Sequence, residues 1–174
     1  MSGLIHVYCG DGKGKTTASL GLAVRACASG YHIVFVQFIK AWETGELDIL
    51  RKLDNVTVLR GDFPSKFSNL YTQEERAAVF QENKRLFEEA IARIYTSAKT
   101  LLILDEIIGT IDTKLIDDTM VYEFLKNKNS NIEVVMTGRN PSSQLIEMAD
   151  YVSEIKKHKH PYEKGIVARK GIEF

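Results

Sequence analysis

Near-continuous apolar runs recur along the chain: "LIHVYC" from Leu4, "HIVFVQFI" from His32, "VTVL" from Val56, "TLLILD" from Thr100, "IEVVMT" from Ile132 and "YVSEI" from Tyr151. Short runs without strict alternation suit strands covered on both faces, as in a parallel sheet. Helix-like stretches separate most of them. The spacing predicts helices over Thr16 to Ala28, from Thr72 to about Ser97, over Asp117 to Lys126 and over Pro141 to Met148. The second of these opens on "TQEE", a capping box with Glu75 at its third position, and the last follows an Asn-Pro signal. Strand and helix alternating in this way predict an α/β fold of three layers, a mainly parallel central sheet with helices on both faces. Ligands of such sheets bind at the carboxyl ends of the strands. Gly61 to Tyr71 and the tail from Lys156 read as irregular, and there is no internal repeat.

Composition narrows this picture without redirecting it. A chain of 174 residues, 44% of them hydrophobic, can bury one substantial core, so a single domain over residues 1–174 is expected. Lysine plus arginine and aspartate plus glutamate both number 23, and the resulting zero net charge announces no nucleic-acid surface. Cys9 and Cys27 form neither a disulfide framework nor a CxxC pair, which fits a reducing compartment. With no signal-like N-terminus and no apolar run long enough to span a bilayer, a cytoplasmic protein is expected.

The chemistry begins at "LIHVYCGDGKGKTT". A strand, a glycine loop and a helix near Thr16 follow in the order of a phosphate cradle. In the pattern G-x-x-x-x-G-K-[ST], however, the opening glycine falls on Cys9, and the first glycine arrives one residue late at Gly10. Glycines let successive amides face one anion, the helix N-terminus adds partial positive charge, Lys15 adds a full charge and Thr16 can ligate Mg²⁺. The competing interpretation is a glycine-rich turn with solvated lysines. In "LLILDE", Asp105 and Glu106 end a strand, where a carboxylate can complete a Mg²⁺ shell; alone, such a pair is equally a solvated boundary or a helix cap. "TGR" at Thr137 to Arg139 puts a guanidinium on the same sheet edge, suited to clamping phosphate oxygens. Arg25 is a weaker candidate of that kind, with a surface salt bridge as its alternative. His158 and His160 read as solvated, and Cys9 as a packed small residue rather than a nucleophile. Phe63, Phe67 and Tyr71 offer either a flat apolar ligand surface or satellite packing.

Six motifs in order, "GDGKGKTT" at Gly10, "QFIKAWETGE" at Gln37, "LDEI" at Leu104, "TGRNP" at Thr137, "ADYVSEI" at Ala149 and "KHPYEKGIVARKGIEF" at Lys159, resemble the ATP:corrinoid adenosyltransferases of the P-loop family. The resemblance covers nearly the whole chain. It implies a homodimer of P-loop α/β fold that transfers the 5'-deoxyadenosyl group of ATP to the Co(I) of a corrinoid, with triphosphate as leaving group and a reduced flavoprotein as electron donor. It also implies that Gly10, Asp11, Gly12, Lys13, Gly14, Lys15, Thr16 and Thr17 wrap the triphosphate and that Thr16 and Glu106 hold Mg²⁺. Arg25 and Arg139 are then expected near the phosphates, with Lys15, Glu106 and Arg139 the groups acting on the reaction. A loop one residue short is compatible with a cradle that presents C5', rather than the γ-phosphate, to the acceptor. Three departures stand out: Ala41 where glycine is common, an aromatic loop "FPSKFSN" without tryptophan that leaves Phe63 or Phe67 to face the corrinoid, and a first strand at about Leu4 with no preceding arm. The alternative function is a P-loop ATPase or kinase-like switch with Glu106 polarising water; a third is a module that shelters corrinoid without reacting.

Overall fold

The computed structural model describes residues 2–40, 45–95 and 98–173. Six strands, β1 (Ile5–Cys9), β2 (His32–Gln37), β3 (Val56–Arg60), β4 (Thr100–Asp105), β5 (Ile132–Thr137) and β6 (Tyr151–Glu154), form one sheet in the order β3-β2-β4-β5-β1-β6. Every pairing is parallel. The helices are α1 (Lys15–Ala28), α2 (Gly45–Leu50), α3 (Gln73–Ala92), α4 (Ile107–Asp112), α5 (Asp118–Asn127) and α6 (Ser143–Met148), with short 3₁₀ turns at Ser68–Leu70 and Pro161–Lys164. All six strands lie where the apolar runs place them.

Alternate side chains divide the core between the two sheet faces. Val34, Val36, Leu102, Leu104, Val134 and Met136 pack with Leu86, Phe87 and Ala90 of α3 and Val121 and Leu125 of α5. Ile33, Phe35, Leu101, Ile103 and Val135 face the other way, onto Ala23 of α1 and Leu47 and Leu50 of α2. This is why β4 is buried at every position and reads as an unbroken apolar run, whereas β6, at the sheet edge, is exposed throughout. The chain leaves β1 through α1 and crosses over β5 and β4 to reach β2. A crevice therefore opens above the carboxyl ends of β1, β5 and β4, at the reversal of strand order where ligands of such sheets bind.

Helix boundaries depart from the sequence pattern in instructive ways. The Thr72 capping box forms as expected: Thr72 Oγ1 accepts from the Glu75 amide at 3.2 Å and Glu75 Oε2 accepts from the Thr72 amide at 2.7 Å. α3 stops at Ala92 instead of running to about Ser97, which itself lies outside the described residues. Tertiary contacts capture the chain first: the Tyr95 ring packs on His32 at 4.4 Å and Asn131 donates to the Ala98 carbonyl at 2.6 Å. α6 begins at Ser143, with Ser142 Oγ accepting from the Leu145 amide. Two six-residue helices, α2 and α4, are not visible in the pattern because each is under two turns long.

Candidate nucleotide site

The loop between β1 and α1 is shaped by close backbone approach. Gly10 and Gly14 have φ of 101° and 120°, in the left-handed range that favours glycine. The strand-end residue Ile155 braces the loop: its carbonyl accepts from the Gly12 amide at 2.8 Å, and its amide donates to Cys9 O at 2.8 Å. A Cβ on Gly10 or Gly12 would come within 2.5 or 2.7 Å of the Ile155 carbonyl oxygen. The Gly10 amide donates to the Arg139 carbonyl at 3.1 Å, so the loops after β1 and β5 are joined. Lys15, the first residue of α1, turns its ammonium back over the loop and donates to Gly10 O at 2.8 Å and Gly12 O at 2.9 Å. Burial pushes the Lys15 ammonium below the usual lysine range, while Glu106 opposes that shift.

At the end of β4, Asp105 is fully buried and collects three donors. Thr16 Oγ1 and Thr137 Oγ1 each donate to Oδ1 at 2.8 Å, and Lys40 Nζ donates to Oδ2 at 2.9 Å. Glu106 follows with φ of 65°, a strained left-handed conformation for a non-glycine residue, its amide donating to Thr137 Oγ1 at 2.9 Å. That geometry turns Glu106 toward the cleft. Burial, reinforced by neighbouring Asp105, raises the Glu106 carboxyl above the usual carboxylate range, with Lys40, Lys15 and Arg139 pulling it back.

The resulting cleft has a volume of about 830 Å³. Its floor is Gly12 to Thr17, its flanks are Lys40 and Glu106, and its outer wall is the tail through Ala168, Gly171, Ile172 and Glu173. Glu173 is held there by Arg169, at 3.0 Å, and by Lys13, at 3.3 Å, and these partners bring its carboxyl down to about 2. Gly10 and Asp11 shape the loop from behind, Asp11 accepting from the Lys157 amide at 3.0 Å. Arg139 is exposed at the rim, its charge felt by both Lys15 and Glu106. Arg25 is elsewhere: it sits exposed in the last turn of α1, ten residues and about 15 Å of helix beyond Lys15. Phe63 is half-buried against the α3-side core, whereas Phe67 is 72% exposed.

Lys40, Thr137 and the joining role of Asp105 are absent from the sequence reading, because nothing in "FIK" or "VMT" marks a residue that only the sheet order brings beside Thr16. The donor set suits Mg²⁺: a hydroxyl and two carboxylates are hard oxygen ligands, and Mg²⁺ takes few protein ligands when phosphate oxygens and water complete its shell. Among the described residues no group of three or more His, Cys, Asp or Glu side chains forms a metal cage, and no helix is long and apolar enough to cross a membrane.

A glycine loop gripping the start of a helix, with a buried aspartate beneath it from β4, two strands away, defines an α/β protein of the P-loop class. The cytoplasmic domain of EssC superposes with a TM-score of 0.56 at 15% identity, over 97% of this chain and 34% of that one. EssC ATPases 2 and 3 from Geobacillus thermodenitrificans give 0.50 at 15% identity, over 97% of this chain and 35% of that one. These likenesses establish the fold alone. The family model described as ATP:corrinoid adenosyltransferase BtuR/CobO/CobP matches residues 1–174, and the chain belongs to that family. It is 36% identical over 174 residues to the corrinoid adenosyltransferase of a Sinorhizobium species, covering 99% of this chain and 80% of the relative. It is 30% identical over 175 residues to corrinoid adenosyltransferase CobA of Salmonella typhimurium strain LT2, covering 99% and 86%.

Proposed function

We propose that this enzyme transfers the 5'-deoxyadenosyl group of ATP to the Co(I) of a corrinoid, in adenosylcobalamin synthesis or salvage. The observation that carries the reading is a phosphate cradle of the P-loop class in a chain matched over its whole length by the adenosyltransferase family. The Co(I) electron pair attacks C5', the C5'–O bond breaks, and triphosphate leaves with that bond's electrons. The substrate brings its own nucleophile. The chain's one cysteine beside the loop, Cys9, is buried, its thiol pushed up by burial and by Glu154.

The protein's part is positioning and charge compensation. In this reading Lys13 and Lys15 neutralise the triphosphate, the amides of Lys13 to Thr17 line it, and Arg139 closes over it from the β5 loop. Thr16 and Glu106 hold Mg²⁺, with Asp105 fixing the Thr16 hydroxyl from below. The bound cation would offset charge building on the departing triphosphate. From the last turn of α1, Arg25 contributes a distant charge rather than a contact. Exposed Phe67 is the aromatic offered to the corrinoid, and Phe63 anchors its segment. Homodimer formation, a reduced flavoprotein donor and a cytoplasmic setting complete the proposal, each supported by the family resemblance.

The test supplies ATP, Mg²⁺ and chemically reduced cob(I)alamin, and follows loss of Co(I) absorbance together with the phosphate product. Inorganic triphosphate in step with the absorbance change is expected. Corrinoid-independent release of orthophosphate would overturn the proposal in favour of a γ-phosphate hydrolase, a reading that the family membership does not favour.

A further inference from the structure

Beside the glycine loop, the chain leaving β2 carries Gln37, Ile39 and Lys40, of which only Lys40 has entered the site so far. β2 ends at Gln37, and two residues later Ile39 takes a φ of 46°, a strained conformation for a β-branched side chain. The chain thereby turns at the end of β2. Arg60 fixes the turn by donating to the Lys40 carbonyl at 3.3 Å. Lys40 then lies along the cleft, its side chain 25% exposed, with Nζ 2.9 Å from Asp105 Oδ2 and 3.4 Å from Thr16 Oγ1.

Lys15 and Lys40 thus flank Thr16 in different ways. Lys15 is engaged by neutral loop carbonyls, whereas Lys40 supplies the countercharge to a fully buried carboxylate. Two hydroxyl donors alone would leave Asp105 with an uncompensated charge in a dry setting. Gln37 lies directly across from Asp105 in the β2–β4 register and on the same face of the sheet. It is fully buried, yet neither its amide nitrogen nor its amide oxygen has a hydrogen-bond partner. A buried amide without partners is costly and uncommon, and here it stands beside a fully buried carboxylate whose partner, Lys40, reaches it from the cleft. Two arrangements suit this cluster. In one, Lys40 rests on Asp105 and Gln37 is unpartnered; in the other, Lys40 has left and the Gln37 amide donates to the carboxylate.

We propose that Lys40 is a mobile cation for the triphosphate. It neutralises Asp105 until a divalent cation arrives beside Thr16, and then moves onto the phosphate chain while Gln37 takes its place on Asp105. A cation held by Thr16 and Glu106 stands beside the Lys40 ammonium, which is 3.4 Å from Thr16 Oγ1, so like-charge repulsion and the open cleft drive Lys40 toward the anion. Lys40 is then a positioning residue that couples metal loading to the grip on the anion. The inference rests on the nucleotide reading only for the identity of that anion as a triphosphate.

Inorganic triphosphate and Mn²⁺ alone are the probes, titrated separately and together into the full chain, wild type and Lys40→Met. In the variant, Mn²⁺ alone is expected to bind about tenfold more tightly, because no ammonium stands beside Thr16 to repel it. Triphosphate in the presence of metal is expected to bind about ten- to a hundredfold more weakly, the worth of one lost charged hydrogen bond. Lys40→Arg restores the triphosphate affinity, and Gln37→Leu loses the metal-dependent part of it. Weakening of both probes to the same extent, or no change in either, would overturn the proposal. Should Lys40→Met fail to fold, Lys40→Gln gives the same contrast. Product identity with cob(I)alamin is a separate measurement, so a failed adenosyl transfer leaves the Lys40 result readable.

Discussion

The hydroxyl of Thr16, at the start of α1, donates at 2.8 Å to Asp105, the last residue of β4, across 89 positions of sequence. This bond joins the phosphate loop to the centre of the sheet. Asp105→Ala removes the acceptor for Thr16 and Thr137 and the partner of Lys40, so it is expected to cost about 3 kcal/mol of folding stability, the size of a broken buried ion pair. Urea denaturation of the two proteins measures it; a loss under about 0.5 kcal/mol would show that the network is not what holds the loop.

Lys15→Ala removes the ammonium from the mouth of the loop. Turnover is expected to fall about a hundredfold or more through lost triphosphate stabilisation. Loss of Co(I) absorbance under saturating corrinoid reads this directly, and wild-type rates in the variant would count against the cradle.

The glycines of the loop separate steric from conformational need. Gly12→Ala drives a Cβ into the Ile155 carbonyl, whereas Gly14→Ala meets nothing within 4 Å and carries only the strain of its φ of 120°. Gly12→Ala is therefore expected to shift the β6 exit and abolish nucleotide binding. Gly14→Ala is expected to cost about 1–3 kcal/mol of strain and retain weakened binding. Calorimetric titration with ATP distinguishes the two.

Phe63 and Phe67 lie four residues apart, the first half-buried and the second exposed. Phe63→Ala is expected to cost about 2 kcal/mol of stability, less than a fully buried phenylalanine would. Phe67→Ala is expected to change stability by less than about 0.5 kcal/mol while slowing transfer to the corrinoid. Equal effects of both on melting and on rate would remove the distinction.

His32 supplies a pH test of the fold. Its Nε2 is buried without a partner, and burial lowers the imidazole from its usual 6.5, despite opposing backbone contacts near Arg93 and Asn55. Because the folded state resists protonation, the unfolded chain binds more protons between the lowered value and 6.5. The stability contribution is complete above pH 6.5 and is lost as the pH falls through the folded value. Urea midpoints from pH 7.5 to 5 should decline, and His32→Phe should flatten that decline.

The strands were legible because burial on both faces writes a local signature: β4 has no polar residue between Leu101 and Leu104. The shape of the glycine loop was legible because glycine, lysine and threonine follow one another in the chain. Lys40 and Gln37 were not, since their meaning depends on β2 lying beside β4, and sheet order is not a local property of sequence. The end of α3 was missed for a related reason: Tyr95 and Ala98 answer to His32 and Asn131, not to their own helical propensity. Arg25 shows the converse. The family resemblance implies that it lies near the phosphates, and its place in the last turn of α1 puts it about 15 Å of helix beyond Lys15.

The outer wall of the cleft ends in Glu173, tied by ionic contacts to Arg169 and to Lys13 of the phosphate loop itself. The Glu173 carboxyl lies near 2, so the wall stays charged across any ordinary assay pH. Salt acts differently: exposed charges are screened over about 10 Å at 0.1 M ionic strength and about 3 Å at 1 M. A concentrated buffer thus weakens the Lys13–Glu173 and Arg169–Glu173 ties of the wall, together with the attraction proposed between Lys13 and an anionic ligand. Nucleotide affinities taken at two ionic strengths are therefore expected to differ through the wall's ion pairs as well as through the ligand's own charge.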